Sequence, residues 1–299
     1  MKKTLLECVP NLSEGRDPLA LQALYMQLSQ LPELQILDHS ADPDHHRSVW
    51  TWVAPPEVIE QALMCLYQWA ESQIDLRKHH GAHPRIGAID VIPLIPIQGI
   101  SLPEAVAFSK GLAARLAQHF QLPIFLYEAS ATQPQRRNLA AIRQGQFEGL
   151  HQKLKQPAWL PDFGPTQPHP SLGATALGVR DFLIAFNLFF GSQDLAPVKE
   201  LARRLRASNG GLPAVKALGI WLPQRQKSQL SFNLTDFRVT SLQDLIQAVL
   251  KQGAELGITP EAGEIIGLIP KAATWPGFET ALKLTDRRDV VLEHHLRRT

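Results

Sequence analysis

Strand-like and helix-like patterns follow one another in the same order twice along this chain, and that repetition limits the folds open to it. Residues 5–9 read as a strand closed by Pro10, after which Leu21, Leu24, Leu28 and Leu31 recur at helical spacing. Residues 34–38 and 48–53 read as two more strands, the second alternating Val49, Thr51 and Val53 against Ser48, Trp50 and Trp52. Pro55 and Pro56 mark a helix start, because proline is tolerated in the first helical turn, and Ile59, Leu63, Leu66 and Ile74 supply its apolar face. Residues 89–95 are apolar enough for a buried strand. The resulting β-α-β-β-α-β order is the ferredoxin-like one. A helix stepping through Phe108, Leu112, Leu116 and Phe120, then a short strand at 124–127, adds one α-β unit.

Residues 157–170 contain Pro157, Pro161, Pro165, Pro168 and Pro170 and read as a stiff connecting loop. Beyond it the order returns: a strand at 182–189, a helix through Val198, Leu201 and Leu205, and strands at 215–222 and 229–234. Ser241 with Asp244 then caps a helix carrying Leu242, Leu245, Val249 and Leu256, and 264–269 closes the set. The halves share order and no residue pattern. The expected fold class is α+β, with two ferredoxin-like βαββαβ subdomains at residues 1–177 and 178–299, the first carrying the added α-β unit. Each sheet has a second face to cover, so ligands are expected in the seam between the subdomains.

Composition excludes several functions. The 30 basic and 28 acidic residues leave a formal charge of +2, so no broad positive field points to nucleic acid or a membrane surface. Cys8 and Cys65 are too few for a disulfide framework in a chain of 299 residues. The apolar start is broken at Glu7 and Pro10, and no run approaches the roughly 20 residues of a membrane span. A cytoplasmic location is expected.

The chemistry concentrates at 79–91, where His79, His80, His83 and Arg85 precede the apolar strand. Gly81 and Pro84 bracket His83 and deny it a regular helix, so the imidazole projects from a rigid loop, as a general base requires. The four-residue spacing of His79 and His83 would suit a metal on a helix, but Gly81 and Pro84 argue against a helix, there is no cysteine pair, and no metal is expected. Residues 42–48 lead into a strand as either a solvated turn or a mouth at which Arg47 clamps a carboxylate. Residues 162–173 are either a stiff linker or a ligand wall. Residues 173–178 lack the spacing and preceding strand of a dinucleotide fingerprint.

Five blocks, at 7–15, 83–91, 162–165, 182–187 and 231–234, resemble the glutamate formiminotransferases (formimidoyltransferases) in order along most of the chain. The resemblance implies transfer of the formimino group of N-formimino-L-glutamate to N5 of tetrahydrofolate, a co-substrate. This is a step of histidine catabolism and one-carbon metabolism, carried out by a homodimer without a metal. Animal members join a cyclodeaminase to the transferase, and the transferase alone is expected here. The family's catalytic histidine falls on His83. Its folate-contacting loop falls on Gly164, Pro165, Thr166, Gln167, Pro168, His169, Pro170, Ser171, Leu172 and Gly173.

Two positions depart from the family pattern. Ser40 stands where animal members carry an acidic residue, with Asp38 and Asp42 nearby, and His46 stands where an asparagine precedes the arginine. Arg47 and Arg85, with Arg180 behind them, are the candidates for holding substrate carboxylates. The rival readings are a folate-binding protein without transferase activity and an enzyme acting on 5-formyltetrahydrofolate.

Overall fold

The computed structural model describes residues 3–286 and 288–296. Along the sequence the chain divides between Arg180 and Asp181 into two compact units. In the first, β1 (Leu5–Cys8) and β2 (Asn11–Leu12) follow one line between the same two neighbours, β4 (Arg47–Ala54) and β5 (Ile89–Gln98), and β3 (Gln35–Asp42) flanks β4. The line is interrupted at Pro10, which has no N–H to offer a ladder. Its carbonyl still accepts from Trp50 N–H at 3.1 Å, while Val9 N–H donates to Pro93 O at 3.0 Å. Counting β1 and β2 as one strand, the spatial order is fourth, first, third, second, all antiparallel.

Two strands extend that sheet in parallel. β7 (Thr175–Val179) lies beside β5, and β6 (Ile124–Leu126) lies beside β7. The expected subdomain break at 177–178 falls inside β7. That strand escapes a pattern search because Ala176 and Gly178 dilute it. Gly178 is required there, since a Cβ would sit 2.2 Å from Tyr127 O. The proline-rich stretch is not a connector between units. It lies within the first, where Ile124 N–H bonds Phe163 O at 2.9 Å as the chain returns to lay down β7.

Strand alternation divides the sheet's side chains between two cores. Ile92, Leu94 and Leu177 face α1 (Pro18–Leu28), α2 (Pro56–Gln73) and α3 (Leu102–Phe120), packing with Leu24, Leu63, Leu66 and Leu112. Each such leucine, fully buried, stabilises the fold by roughly 1.5–3 kcal/mol. Asp17 caps α1 through Leu19 and Ala20 N–H, and Ser101 and Glu104 form a reciprocal cap on α3. Val91, Phe125 and Ala176 face the other way, toward Ile142 and Leu150 on the short helices α4 (Leu139–Arg143) and α5 (Gln146–Lys153).

The second unit runs β8 (Ile184–Phe190), α6 (Ala196–Leu205), β9 (Val215–Leu222), β10 (Lys227–Leu234), α7 (Leu242–Glu255) and β11 (Ala262–Ile266). Its strands lie in the order β11-β8-β10-β9, again fourth, first, third, second. Phe186 and Phe232 stack at 4.7 Å within a core completed by Leu201, Leu245 and Val249. The chain is α+β, as the pattern predicts. Among the described residues no helix is long and apolar enough to cross a membrane.

Candidate active site

The loop between α2 and β5 is pinned from three sides, and glycines make the close approaches possible. A Cβ on Gly81 would lie 2.1 Å from His45 O, and Ala82 N–H donates to Asp44 O at 3.0 Å, so the β3–β4 turn and the loop are locked together. A Cβ on Gly87 would lie 1.9 Å from Ala174 O. From the N-terminal block, Ser13 donates its hydroxyl to Gly87 O at 2.7 Å and its N–H to Ala88 O at 2.8 Å. Blocks distant in sequence are thereby fastened around one histidine.

His83 Nδ1 lies 2.8 Å from Pro84 O. A carbonyl only accepts, so Nδ1 carries the proton and Nε2 keeps its lone pair. Burial pushes the His83 pKa well below 6.5, Arg47 and Arg143 push it further, and Asp90 opposes them. The ring is therefore neutral at pH 7, the form in which a base must be held. The His45 ring meets it edge-on at 6.0 Å.

Asp90, fully buried, is the hub of this cluster. Its Oδ2 accepts from Arg47 Nη2 at 2.9 Å and from Arg143 Nη2 at 2.5 Å, and its Oδ1 accepts from Ile86 N–H at 2.8 Å. Burial alone would raise its pKa, but Arg143, Arg47 and the Ile86 N–H hold it well below the usual carboxylate range. Arg47 also donates from Nε and Nη2 to Asn11 Oδ1, at 3.2 and 3.0 Å. Burial brings the Arg47 pKa down to about 10, with Asp90 working against that shift. Two guanidiniums face one carboxylate beside His83, and the surplus positive charge favours an anionic ligand.

The loop at 164–173 is fixed at its ends and open in its middle. Gly164 and Gly173 adopt φ of +88° and +71°, and a Cβ on either would meet a backbone oxygen, Leu122 O or Ile86 O, at 2.2 Å. His169 and Gly173 exchange two backbone hydrogen bonds of 2.9 Å, and Ser171 O accepts from Leu76 N–H at 3.0 Å. Leu172 is buried in the core, Pro165 is half-buried, and Thr166, Gln167 and Pro170 are exposed. Gln167, Pro168, His169 and Pro170 line a cleft of about 390 Å³ with Phe147 and His79. That size and mixed lining suit a small organic ligand.

A family model described as "Formiminotransferase domain, N-terminal subdomain" matches residues 5–180, and one described as "Formiminotransferase domain" matches residues 192–287. The chain is 38% identical to a glutamate formimidoyltransferase of Streptococcus pyogenes serotype M1, over 98% of both chains. It is 37% identical to one of Thermoplasma acidophilum, covering 90% of this chain and 89% of the other. The chain belongs to the formiminotransferase family. It is accordingly a transferase. It also matches a formimidoyltransferase-cyclodeaminase of Rattus norvegicus at 39% identity, spanning about half of that protein's length (51%).

The expected site residues fall into two groups. His83 and Arg47 stand together around Asp90. Arg85 does not join them: its guanidinium makes paired bonds to Glu148 at 2.8 and 2.6 Å and another to His79 Nδ1 at 3.0 Å, beside the cleft. His79 donates from Nε2 to His46 O at 2.8 Å, and burial brings its pKa down to about 4. Arg180 pairs with Tyr127 instead.

The departure at His46 has a backbone reason. His46 has φ of +48°, a conformation that asparagine and histidine adopt more readily than most side chains, and its ring stacks on His79 at 4.3 Å. Its Nε2 lies 3.5 Å from the Glu14 carboxylate. Burial would raise the pKa of that carboxylate, but His46 and the N–H groups of Arg16 and Asp17 bring it down to about 2. Ser40 lies in β3 opposite Val49, with Asp38 opposite Thr51 and Asp42 opposite Arg47. Asn11, Asp90 and Arg143 were not singled out from sequence. The first two lie inside the resemblance blocks, whereas Arg143 ends a short helix that carries no motif.

Proposed function

We propose that this chain transfers the formimino group of N-formimino-L-glutamate to N5 of tetrahydrofolate, with His83 moving the proton. The observation that carries this reading is the neutral imidazole, its Nδ1–H committed to Pro84 O and its Nε2 lone pair kept for a substrate proton. N5 of the pterin attacks the carbon of the protonated amidine, the C=N π pair moves onto the terminal nitrogen, and the N5 proton passes to Nε2 as the N5–C bond forms. The terminal nitrogen's lone pair re-forms the C=N bond as the bond from carbon to the glutamate nitrogen breaks, and imidazolium returns the proton to the departing amine. One histidine serves both steps, and atoms and charge balance without a covalent enzyme intermediate.

The surrounding residues supply position. Arg47 and Arg143 offer surplus positive charge to the carboxylates of the donor, and the loop at 164–173 offers a rigid wall for the folate. Holding both substrates together lowers the barrier by on the order of 7 kcal/mol. The relatives named glutamate formimidoyltransferase support the choice of donor. The test is to incubate purified protein with tetrahydrofolate and formiminoglutamate and follow 5-formiminotetrahydrofolate. Product is expected. Folate binding without turnover, or turnover only with 5-formyltetrahydrofolate, overturns the reading.

A further inference from the structure

The helix that carries Arg143 is held by a lysine for which the proposed chemistry has no use. Lys153, at the end of α5, donates from its ammonium to Ala141 O at 2.6 Å, Ile142 O at 2.7 Å and Gln144 O at 3.1 Å. Those three bonds use all three of its protons. The ammonium also lies 4.0 Å from the centre of the Trp159 ring. Among the described residues it pairs with no carboxylate, and its attractions are entirely to backbone oxygens and a π face.

That arrangement solves a local problem. α4 has 5 residues, too few to sustain itself, and the last carbonyls of any helix lack partners within it. Lys153 satisfies two of them and ties α4 back onto α5. The start of α5 is in turn fixed to the histidine loop, where Phe147 N–H bonds Arg85 O at 3.0 Å. Arg143 is the last residue of α4. Its Nε is buried without a hydrogen-bond partner, so its direction rests on the Asp90 bond and on the backbone from which it hangs.

We propose that Lys153 is a positioning residue for the reaction: by tying α4 to α5 it fixes Arg143 against Asp90 and so sets the electrostatic surroundings of His83. The groups facing His83 are Arg47 from β4, Asp90 from β5, His45 from the β3–β4 turn and Arg143 from α4. Sheet strands hold Arg47 and Asp90, whereas Arg143 depends on the short helix. Loosening Arg143 removes a positive neighbour of His83 and frees Asp90 to act on it, and both changes favour the protonated ring. Burial brings the Lys153 pKa down to about 8, in keeping with an ammonium enclosed by carbonyls rather than by acids.

This inference rests on His83 as the base, and its test separates the two claims. The pH profile of kcat/KM for formimino transfer is measured for the whole protein and for Lys153→Met, Lys153→Gln and Lys153→Arg. In Lys153→Met the acid limb of the profile moves to higher pH by at least about half a unit, a threefold rise in the proton affinity of His83. Lys153→Gln moves the same way by less, and Lys153→Arg, which keeps a cation, restores the wild-type profile. Substrate titrations are common to all four proteins and cancel in the comparison. Profiles that superimpose, with only the melting temperature changed, give Lys153 a purely structural role and overturn the proposal, as does failure of both neutral variants to fold. An inactive wild-type protein overturns the assigned reaction instead.

Discussion

Asp90→Asn removes the one negative charge in the cluster while keeping the side chain's shape. Arg47 and Arg143 would then be buried without a counter-charge, and breaking a buried pair in this way costs about 3–5 kcal/mol. For a domain of this size each kcal/mol lowers the melting temperature by about 2–4 °C, so a fall of roughly 6–20 °C is expected. The same substitution acts on His83 with a definite sign. Asp90 favours protonation of that ring, and with the carboxylate neutralised the ring stays neutral to lower pH. The acid limb of kcat/KM therefore moves to lower pH even as the protein becomes less stable. Thermal unfolding by circular dichroism and a pH profile of product formation read the two effects. A melting temperature within a degree or two of wild type, or a limb displaced to higher pH, would refute the account of Asp90 as the hub.

Two further outcomes follow from the same geometry. The His79 pKa falls from 6.5 unfolded to about 4 folded, so the unfolded chain binds the proton first. Its contribution is complete above pH 6.5 and declines as pH falls toward 4, costing about 3 kcal/mol over that window. Asp90 adds its own loss at lower pH, below the usual carboxylate range. Urea unfolding at pH 7 and pH 4.5 reads the His79 loss, and equal midpoints would contradict it. Arg85→Ala should lower stability by about 1–3 kcal/mol, because His79 Nδ1 loses its donor and Glu148 on α5 loses its paired bonds. It should leave KM for formiminoglutamate within about twofold of wild type. A KM raised tenfold or more returns Arg85 to donor binding.

The sequence made some of this legible and hid the rest for physical reasons. Strands such as β9 and helices such as α7 have clean periodicity and a recognisable cap, and both lie where the pattern puts them. β7 was missed because a strand buried throughout its length needs no alternation, and its small residues are chosen by neighbouring backbone. The histidine loop was legible because Gly81 and Pro84 constrain the backbone locally. The different partners of Arg47 and Arg85 were not, because both sit beside histidines in sequence and only the fold brings one to Asp90 and the other to Glu148. Arg143 and Lys153 were invisible for the same reason, since their partners lie on other elements or are backbone oxygens that no residue type announces.

The central claim is that a neutral His83 carries the proton from the pterin to the departing amine. It is tested most directly by single-turnover formation of 5-formiminotetrahydrofolate by wild type and His83→Ala at pH 7.5, with folate affinity measured on the same samples. The account predicts a fall of at least about a hundredfold in rate with affinity for tetrahydrofolate retained. A variant that binds folate and still forms product at the wild-type rate contradicts it.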